Sequence, residues 1–183
     1  MNKQQIPNQL TMFRVVLIPV FLWVLFSTQL PNHRYLAIAI FIIASVTDFF
    51  DGYLARKWHV VSNFGKFMDP LADKLLVMAA MVALVEMGDL PSWVVILILA
   101  RELAITGFRT LAVEANIVLA ASFWGKLKTV TQMAMIVMVL LQLENSMMIL
   151  VTDILIYASA ILTVVSGADY FIKNKEVFGT AKQ

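Results

Sequence analysis

Long apolar runs follow one another along the whole chain, separated by short polar segments. Each run is about 20 residues long, the length that an α-helix needs to cross a hydrocarbon core of about 30 Å. The polar segments contain residues that stop or cap helices, such as Pro31-Asn32, Gly88-Asp89 and Asn145-Ser146. The pattern predicts six transmembrane helices, at Leu10–Phe26, Tyr35–Trp58, Phe67–Met87, Pro91–Arg109, Ser122–Leu143 and Met147–Ile172.

The predicted fold class is all-α, an integral membrane bundle in which short turns make consecutive helices antiparallel neighbours. No segment is long enough to link two separate domains, so residues 1–183 are expected to form a single membrane domain. Composition agrees, because 61% of the residues are hydrophobic and 14% are charged, whereas soluble domains are about half apolar. The chain has no cysteine, which excludes disulfide and thiol chemistry.

Basic residues predict the orientation of the bundle, because cytoplasmic loops carry an excess of lysine and arginine. At the end of the predicted bundle away from the termini, Arg34 is the only basic residue counted, and the acids there are Glu86, Asp89 and Glu144. Both termini are therefore expected at the cytoplasmic face of the cell membrane. The cations at the cytoplasmic end are Lys3, Arg14, Arg56, Lys57, Lys66, Arg109, Lys126, Lys128, Lys173, Lys175 and Lys182.

Four aspartates lie where the second and third predicted helices meet at the cytoplasmic end. On a helix, Asp48 and Asp51 fall on one narrow face, and Asp69 and Asp73 stack one turn apart on the next helix. Each acid at membrane depth costs roughly 2.5–3.5 kcal/mol on insertion scales, so four of them require compensation. Divalent cations supply it, since Mg²⁺ and Mn²⁺ prefer carboxylate oxygens and share their remaining positions with phosphates.

The residues around the acids also suit a phosphate-bearing ligand. Gly52 and Gly65 leave room for a bulky group to approach the backbone, and Arg56 can pair with an acid or a phosphate. Two metal ions held by the four acids would clamp a diphosphate. The alternative is an interfacial salt-bridge network with the neighbouring cations, which are Arg56, Lys57, Lys66 and Lys74.

The spacing of these residues resembles a family signature. Asp48-x2-Asp51-Gly52-x2-Ala55-Arg56-x8-Gly65-x3-Asp69-x3-Asp73 fills every position of the motif of the CDP-alcohol phosphotransferases. Members of that family are integral membrane enzymes that move a phosphatidyl or similar group from a CDP-linked donor onto an alcohol. They are usually homodimers, and the resemblance implies the same here.

The resemblance also implies roles for individual residues. Asp48, Asp51, Asp69 and Asp73 would bind two divalent ions, and Asp73 would also act as the general base. It implies that Gly52, Arg56 and Ser62 contact the CDP part of the donor, and Gly65 leaves room for that donor. Asn8 and Thr11, at the start of the first helix, are predicted to contact the nucleotide as well. For Asn8 and Thr11, simple capping of the first helix is the alternative.

Three cations point to an acceptor alcohol that carries its own phosphate. Arg109, at the end of the fourth predicted helix, and Lys126 and Lys128, at the start of the fifth, would converge on the face that holds the aspartates. The alternative is that they are loop charges that only set the topology. Arg101 and Glu102 lie deeper in the fourth helix and are expected to form an internal ion pair.

The stretch RELAITGFRTLAVEANIVLAASFWGKLKTVTQM, which starts at Arg101, resembles the same region of bacterial phosphatidylglycerophosphate synthases. The opening Asn8-x2-Thr11-x2-Arg14 with Pro19 does so too. The resemblance implies CDP-diacylglycerol and sn-glycerol 3-phosphate as substrates, with CMP and phosphatidylglycerophosphate as products.

Two other functions are compatible with the same residues. The first is the same chemistry with another alcohol, such as serine, inositol phosphate or a second phospholipid. The second is a divalent-cation transporter, since acids inside membrane helices also mark ion pathways. A transporter would have acids on a path that reaches both faces, whereas the four aspartates cluster at one end. No nucleic-acid partner is expected.

Overall fold

The computed structural model describes the backbone of residues 5–58, 63–114, 117, 119 and 122–177, and the side chains of residues 12–47, 74–113, 117, 119 and 122–177. This part of the chain forms six helices and no strand, which confirms the all-α prediction for it. Each predicted span coincides with one helix, and the ends differ by at most five residues. The helices are α1 (Gln5–Phe26), α2 (His33–Trp58), α3 (Asn63–Glu86), α4 (Ser92–Glu114), α5 (Phe123–Leu141) and α6 (Ser146–Lys173).

Local side-chain chemistry determines where several helices begin and end. The Ser122 hydroxyl accepts a hydrogen bond from the Gly125 N–H at 3.1 Å and caps α5. The Asn145 side chain caps α6 by accepting from the Met147 N–H at 3.0 Å. After α3, Gly88 has a φ of 78°, a left-handed conformation that glycine adopts without steric cost. The turns predicted at Gly88 and Asn145 are thus confirmed.

The chain forms two compact units, Met1–Leu84 and Val85–Gln183. In the first unit, α1 packs against α2, and the fully buried ring of Phe21 lies 6.2 Å from the ring of Phe41 between centroids. Such aromatic pairs contribute about 0.5–1.5 kcal/mol beyond their area. Arg14 of α1 is only 1% exposed. It is therefore an internal residue, although the charge pattern counts it among the loop cations.

In the second unit, α6 packs against both α4 and α5. Small residues allow this close approach, because the buried positions of α6 include Ser159, Ala160, Thr163, Ser166 and Gly167. The Thr163 hydroxyl donates to the Ser159 carbonyl at 2.7 Å, and the Ser166 hydroxyl donates to the Thr163 carbonyl at 3.2 Å. These two hydroxyls are thus satisfied within their own helix.

A separate apolar cluster forms at the end of α6. Its buried members come from α4 and α6 and from the segment that follows α6. They are Ile105, Phe108, Ala112, Tyr170 and Val177, with the half-buried Ile117, Leu119 and Phe171 packed against them. Ile117 and Leu119, from the connection between α4 and α5, therefore pack against this cluster.

Large apolar side chains are also exposed on the helices. Trp23, Ile96, Leu103, Val130 and Ile172 are each more than 60% exposed. Within the described residues, α5 and α6 are long and apolar enough to cross a bilayer, and α1 and α2 contain shorter apolar stretches. Exposed apolar surface of this extent is typical of a helical membrane protein.

The packing of α1 on α2 leads to a prediction about stability. Phe21→Ala should lower the free energy of unfolding by on the order of 3 kcal/mol, because it leaves a cavity against Phe41. Phe13→Ala, in the same helix, removes an identical side chain that is 50% exposed and should have little effect. Thermal unfolding of the purified variants in detergent measures the difference. Equal losses of stability in both variants would contradict the packing described here.

Candidate active site

The four aspartates lie on two consecutive helices. Asp48 and Asp51 belong to α2, and Asp69 and Asp73 belong to α3. Because the backbone is helical at all four positions, each pair is one turn apart, as the sequence pattern requires. Trp58 and Asn63 are separated by five Cα–Cα steps of about 3.8 Å, so the two helix ends are at most about 19 Å apart.

The side chains of most predicted donor-site and metal-site residues lie outside the described part of the structure. Gly52 and Arg56 belong to α2, Gly65 belongs to α3, and Asn8 and Thr11 belong to α1. The backbone at Ser62 is also outside the described residues. Among the side chains that the structure describes, no group of three or more histidines and acids could hold a metal ion. The predicted metal site thus remains a prediction, on a helical framework that the structure confirms.

A partly buried ionic cluster, which we call the Glu102 cluster, lies in the second unit. It consists of Arg101 and Glu102 of α4 and Lys128 of α5. Arg101 Nη1 donates to Glu102 Oε1 at 2.8 Å, and Lys128 Nζ donates to the same oxygen at 2.7 Å. The ion pair predicted between Arg101 and Glu102 is confirmed. Lys128 is only 3% exposed, so it is an internal residue and not a loop charge.

The Arg101 side chain lies against a glycine of each neighbouring helix. A Cβ atom built on Gly167 of α6 would lie 3.4 Å from Arg101 Cγ, and one built on Gly125 of α5 would lie 3.8 Å from Arg101 Nη2. Arg101 Nε is buried and has no hydrogen-bond partner among the residues that the structure describes. A buried donor left without a partner costs about 1–3 kcal/mol, so Arg101 is a candidate for binding an anion.

Arg109 has a different environment, at the surface of α4. Its Nε donates to the Tyr170 hydroxyl at 3.0 Å, and its guanidinium carbon lies 5.6 Å from the centroid of the same ring. Tyr170 is only 2% exposed and contacts Phe108 edge-on. Arg109 is therefore attached to a rigid aromatic residue of α6, although its side chain lies at the surface.

Lys126 is exposed and lies in the first turn of α5, after the Ser122 cap. The three cations predicted to bind the acceptor thus occupy three kinds of position: Lys128 is buried and paired, Arg109 is tethered, and Lys126 is exposed. Sequence reasoning does not single out Tyr170, Gly125 or Gly167. The two glycines carry a signal, since a glycine inside an apolar helix costs about 1 kcal/mol relative to alanine and marks close packing.

Comparison with known proteins agrees with the signature. The family model described as CDP-alcohol phosphatidyltransferase matches residues 4–165. The chain is 41% identical over 191 residues to the CDP-diacylglycerol–glycerol-3-phosphate 3-phosphatidyltransferase of Bacillus subtilis (strain 168), covering 96% of this chain and 98% of the relative.

Two further relatives carry related names. The probable phosphatidylglycerophosphate synthase of Mycobacterium tuberculosis (strain ATCC 25618 / H37Rv) is 43% identical over 179 residues, covering 96% of this chain and 84% of the relative. A CDP-diacylglycerol–glycerol-3-phosphate 3-phosphatidyltransferase of Haemophilus influenzae is 41% identical over 173 residues, covering 92% of each chain. With a family model that matches most of its length and relatives at this identity, the chain belongs to the CDP-alcohol phosphatidyltransferase family.

Proposed function

We propose that the protein transfers the phosphatidyl group of CDP-diacylglycerol to sn-glycerol 3-phosphate, forming phosphatidylglycerophosphate and CMP. This reaction belongs to the biosynthesis of phosphatidylglycerol. The observation that carries the proposal is the complete aspartate signature on two consecutive helices. The near full-length match to relatives named for this reaction supports the choice of acceptor.

The aspartates would hold two divalent ions, Mg²⁺ or Mn²⁺. The donor set fits, because Asp48, Asp51, Asp69 and Asp73 supply only hard carboxylate oxygens and the two helices present them in pairs one turn apart. When bound, the ions would stabilise negative charge on the diphosphate. Gly52, Gly65, Arg56 and Ser62, with Asn8 and Thr11 of α1, would bind the CDP-linked donor.

Asp73 would act on the acceptor. Its carboxylate takes the proton of the acceptor hydroxyl, and the hydroxyl oxygen forms a bond to the phosphorus on the diacylglycerol side. The bond from that phosphorus to the bridging oxygen breaks, and CMP leaves with the electron pair. Because the acceptor attacks directly, no phosphatidyl-enzyme intermediate forms. The acceptor's own phosphate would be bound by Arg109 and Lys126, with Lys128 contributing a third positive charge.

In the membrane, we propose six spanning helices in a single domain, with both termini and the active site at the cytoplasmic face of the cell membrane. The exposed apolar side chains and the distribution of lysine and arginine support this arrangement. A homodimer is proposed from the family resemblance. Family membership favours the enzyme over a divalent-cation transporter, and a panel of labelled acceptors distinguishes glycerol 3-phosphate from serine, inositol phosphate or a phospholipid.

The acids should be required for turnover. Asp48→Ala, Asp51→Ala or Asp69→Ala should each lower kcat/KM at least about 100-fold, roughly 2.7 kcal/mol, because the diphosphate loses part of its clamp. Asp153→Ala removes an exposed acid of α6 and is the matched control. CMP release by purified protein in lipid nanodiscs is the measurement. Full activity in EDTA would exclude the metal site.

Asp73 should be required for chemistry more than for donor binding. Asp73→Asn keeps the shape and one ligand oxygen but cannot accept a proton at neutral pH, so CDP-diacylglycerol should still bind. The value of kcat should fall about 10²–10⁴-fold, the usual contribution of a general base. Single-turnover kinetics measures this step. A wild-type kcat in Asp73→Asn, or a burst of CMP before acceptor is added, would overturn the role given to Asp73.

The acceptor pocket should be sensitive to charge. Arg109→Ala or Lys126→Ala should raise the KM for glycerol 3-phosphate, with a loss in kcat/KM of about 1.5–3 kcal/mol, the value of a hydrogen bond to a charged group. The KM for CDP-diacylglycerol should change little.

Two further variants, one a control and one a second test, accompany these substitutions. Lys173→Ala removes an exposed cation of α6 that pairs with Asp169 and should have no effect on the acceptor. Tyr170→Phe removes the hydroxyl that holds Arg109 and should produce part of the Arg109→Ala effect. If acceptor kinetics are unchanged in both Arg109→Ala and Lys126→Ala, these cations only set the topology.

A further inference from the structure

The Glu102 cluster places charge inside apolar helices. Arg101 lies nine residues into α4, which corresponds to about 13 Å of helix. The side chains of Arg101 and Glu102 are only 14% and 16% exposed. Burying ionic groups costs several kcal/mol per ion unless good geometry compensates, and ionisable groups at membrane depth usually mark functional sites.

The hydrogen bonds of Arg101 leave one edge of its guanidinium without a partner among the described residues. Nη1 donates to Glu102, while Nε is buried and makes no hydrogen bond within that part of the chain. The N–H groups of Nε and Nη2 point in parallel from the same edge of the planar group. That edge is the fork with which arginine binds two oxygens of a phosphate or carboxylate.

The neighbouring helices admit this side chain through glycines, so that it packs closely against their backbones. Gly125 and Gly167 lie on two different partner helices, α5 and α6, and Arg101 runs beside both of them. Next to Gly125, the Ser122 hydroxyl is already occupied by the helix cap. The observations are a partly buried cation whose Nε is buried, an available fork and close packing of the side chain on two glycines, which together hold a guanidinium ready for an anion.

We propose that Arg101 is the main contact of a subsite for a phosphomonoester dianion, and that Glu102 and Lys128 are positioning residues that hold the guanidinium in place. Glu102 fixes Nη1, and Lys128 holds the Glu102 carboxylate from α5. In the proposed function, on which this inference rests and which it extends, the ligand is the phosphate of the acceptor. Lys128 then contributes its positive charge at the site and also holds Glu102, and Arg101 is added to the acceptor-binding residues Arg109 and Lys126.

The first test replaces the fork and keeps the charge. Arg101→Lys should raise the KM for glycerol 3-phosphate at least about tenfold, the loss of one charge-assisted hydrogen bond, with the KM for CDP-diacylglycerol within about twofold. Lys173→Met serves as the control, because it changes a different cation that also pairs with an acid. It should leave both KM values unchanged. Equal effects of Arg101→Lys on the two substrates would contradict the proposal.

The positioning role is tested by a double-mutant cycle. Glu102→Gln should raise the KM for glycerol 3-phosphate about three- to tenfold, and adding it to Arg101→Lys should cause no further rise, because both act on one contact. Glu176→Gln removes an exposed acid and is the control. If the two effects simply multiply, Glu102 does not act through Arg101.

A third variant tests the site without removing any charge, so a failure to fold after loss of an ionic group cannot obscure the result. Gly167→Ala places a methyl group 3.4 Å from Arg101 Cγ, an ordinary van der Waals contact that the fold tolerates and that leaves the guanidinium less room to adjust to a ligand. It should raise the KM for glycerol 3-phosphate several-fold, about threefold or more. Gly107→Ala, where the added Cβ meets no atom within 4 Å, should have no effect. A wild-type KM in Gly167→Ala would count against the site.

Binding measurements separate the sources of the phosphate and separate this inference from the proposed function. Inorganic phosphate should inhibit wild-type protein competitively against glycerol 3-phosphate, glycerol should not, and Arg101→Lys should lose most of the phosphate inhibition. Direct binding of inorganic phosphate to wild-type protein and to Arg101→Lys, without donor, tests the subsite even if wild-type protein does not use glycerol 3-phosphate. If the variant instead responds only to the content of anionic lipid in the nanodisc, a lipid headgroup occupies the subsite and the acceptor assignment is wrong.

Discussion

A charge inside an apolar helix must have a partner, and this constraint governs much of the second unit. Glu102 is the clearest case, because one carboxylate oxygen accepts hydrogen bonds from Arg101 of its own helix and Lys128 of α5. Removing one partner of a buried ion pair costs several kcal/mol, since the other charge is left uncompensated. The position of α5 relative to α4 therefore has an electrostatic determinant in addition to the packing of both helices on α6.

Small side chains make this arrangement possible. Thr163 and Ser166 of α6 satisfy their hydroxyls within the helix, so they line a buried interface without requiring partners from other helices. Gly167 allows Arg101 to approach α6 closely. A Cβ atom at this position would lie 3.4 Å from Arg101 Cγ, so the arginine already packs directly against the glycine.

Two of the cations predicted to bind the acceptor differ in how freely their side chains can move. Arg109 is tied to the buried ring of Tyr170, which limits the side-chain entropy that binding a ligand would cost. Lys126, in contrast, is exposed in the first turn of α5. The proposed acceptor site would thus combine a tethered cation with an exposed one, which suits a small, highly charged acceptor.

The sequence by itself determined the six helices and the spacing of the aspartates. Both depend on local properties: the length of apolar runs, capping residues such as Asn145, and the periodicity that puts Asp48 and Asp51 one turn apart. The ion pair of Arg101 with Glu102 was predictable for the same reason, as its members are adjacent. The family signature is also a local pattern, which explains why it is readable from residues 48–73 alone.

Only the tertiary structure decided which cations are internal. Lys126 and Lys128 look alike in the sequence. On a helix, however, positions two residues apart are separated by about 200° around the axis, so the two lysines lie on nearly opposite faces. Which face turns inward depends on α4, where the partner Glu102 lies 26 residues away in the chain. The same holds for Arg109 and Tyr170, which are 61 residues apart, because contacts between distant helices follow from packing and leave no local pattern in the sequence.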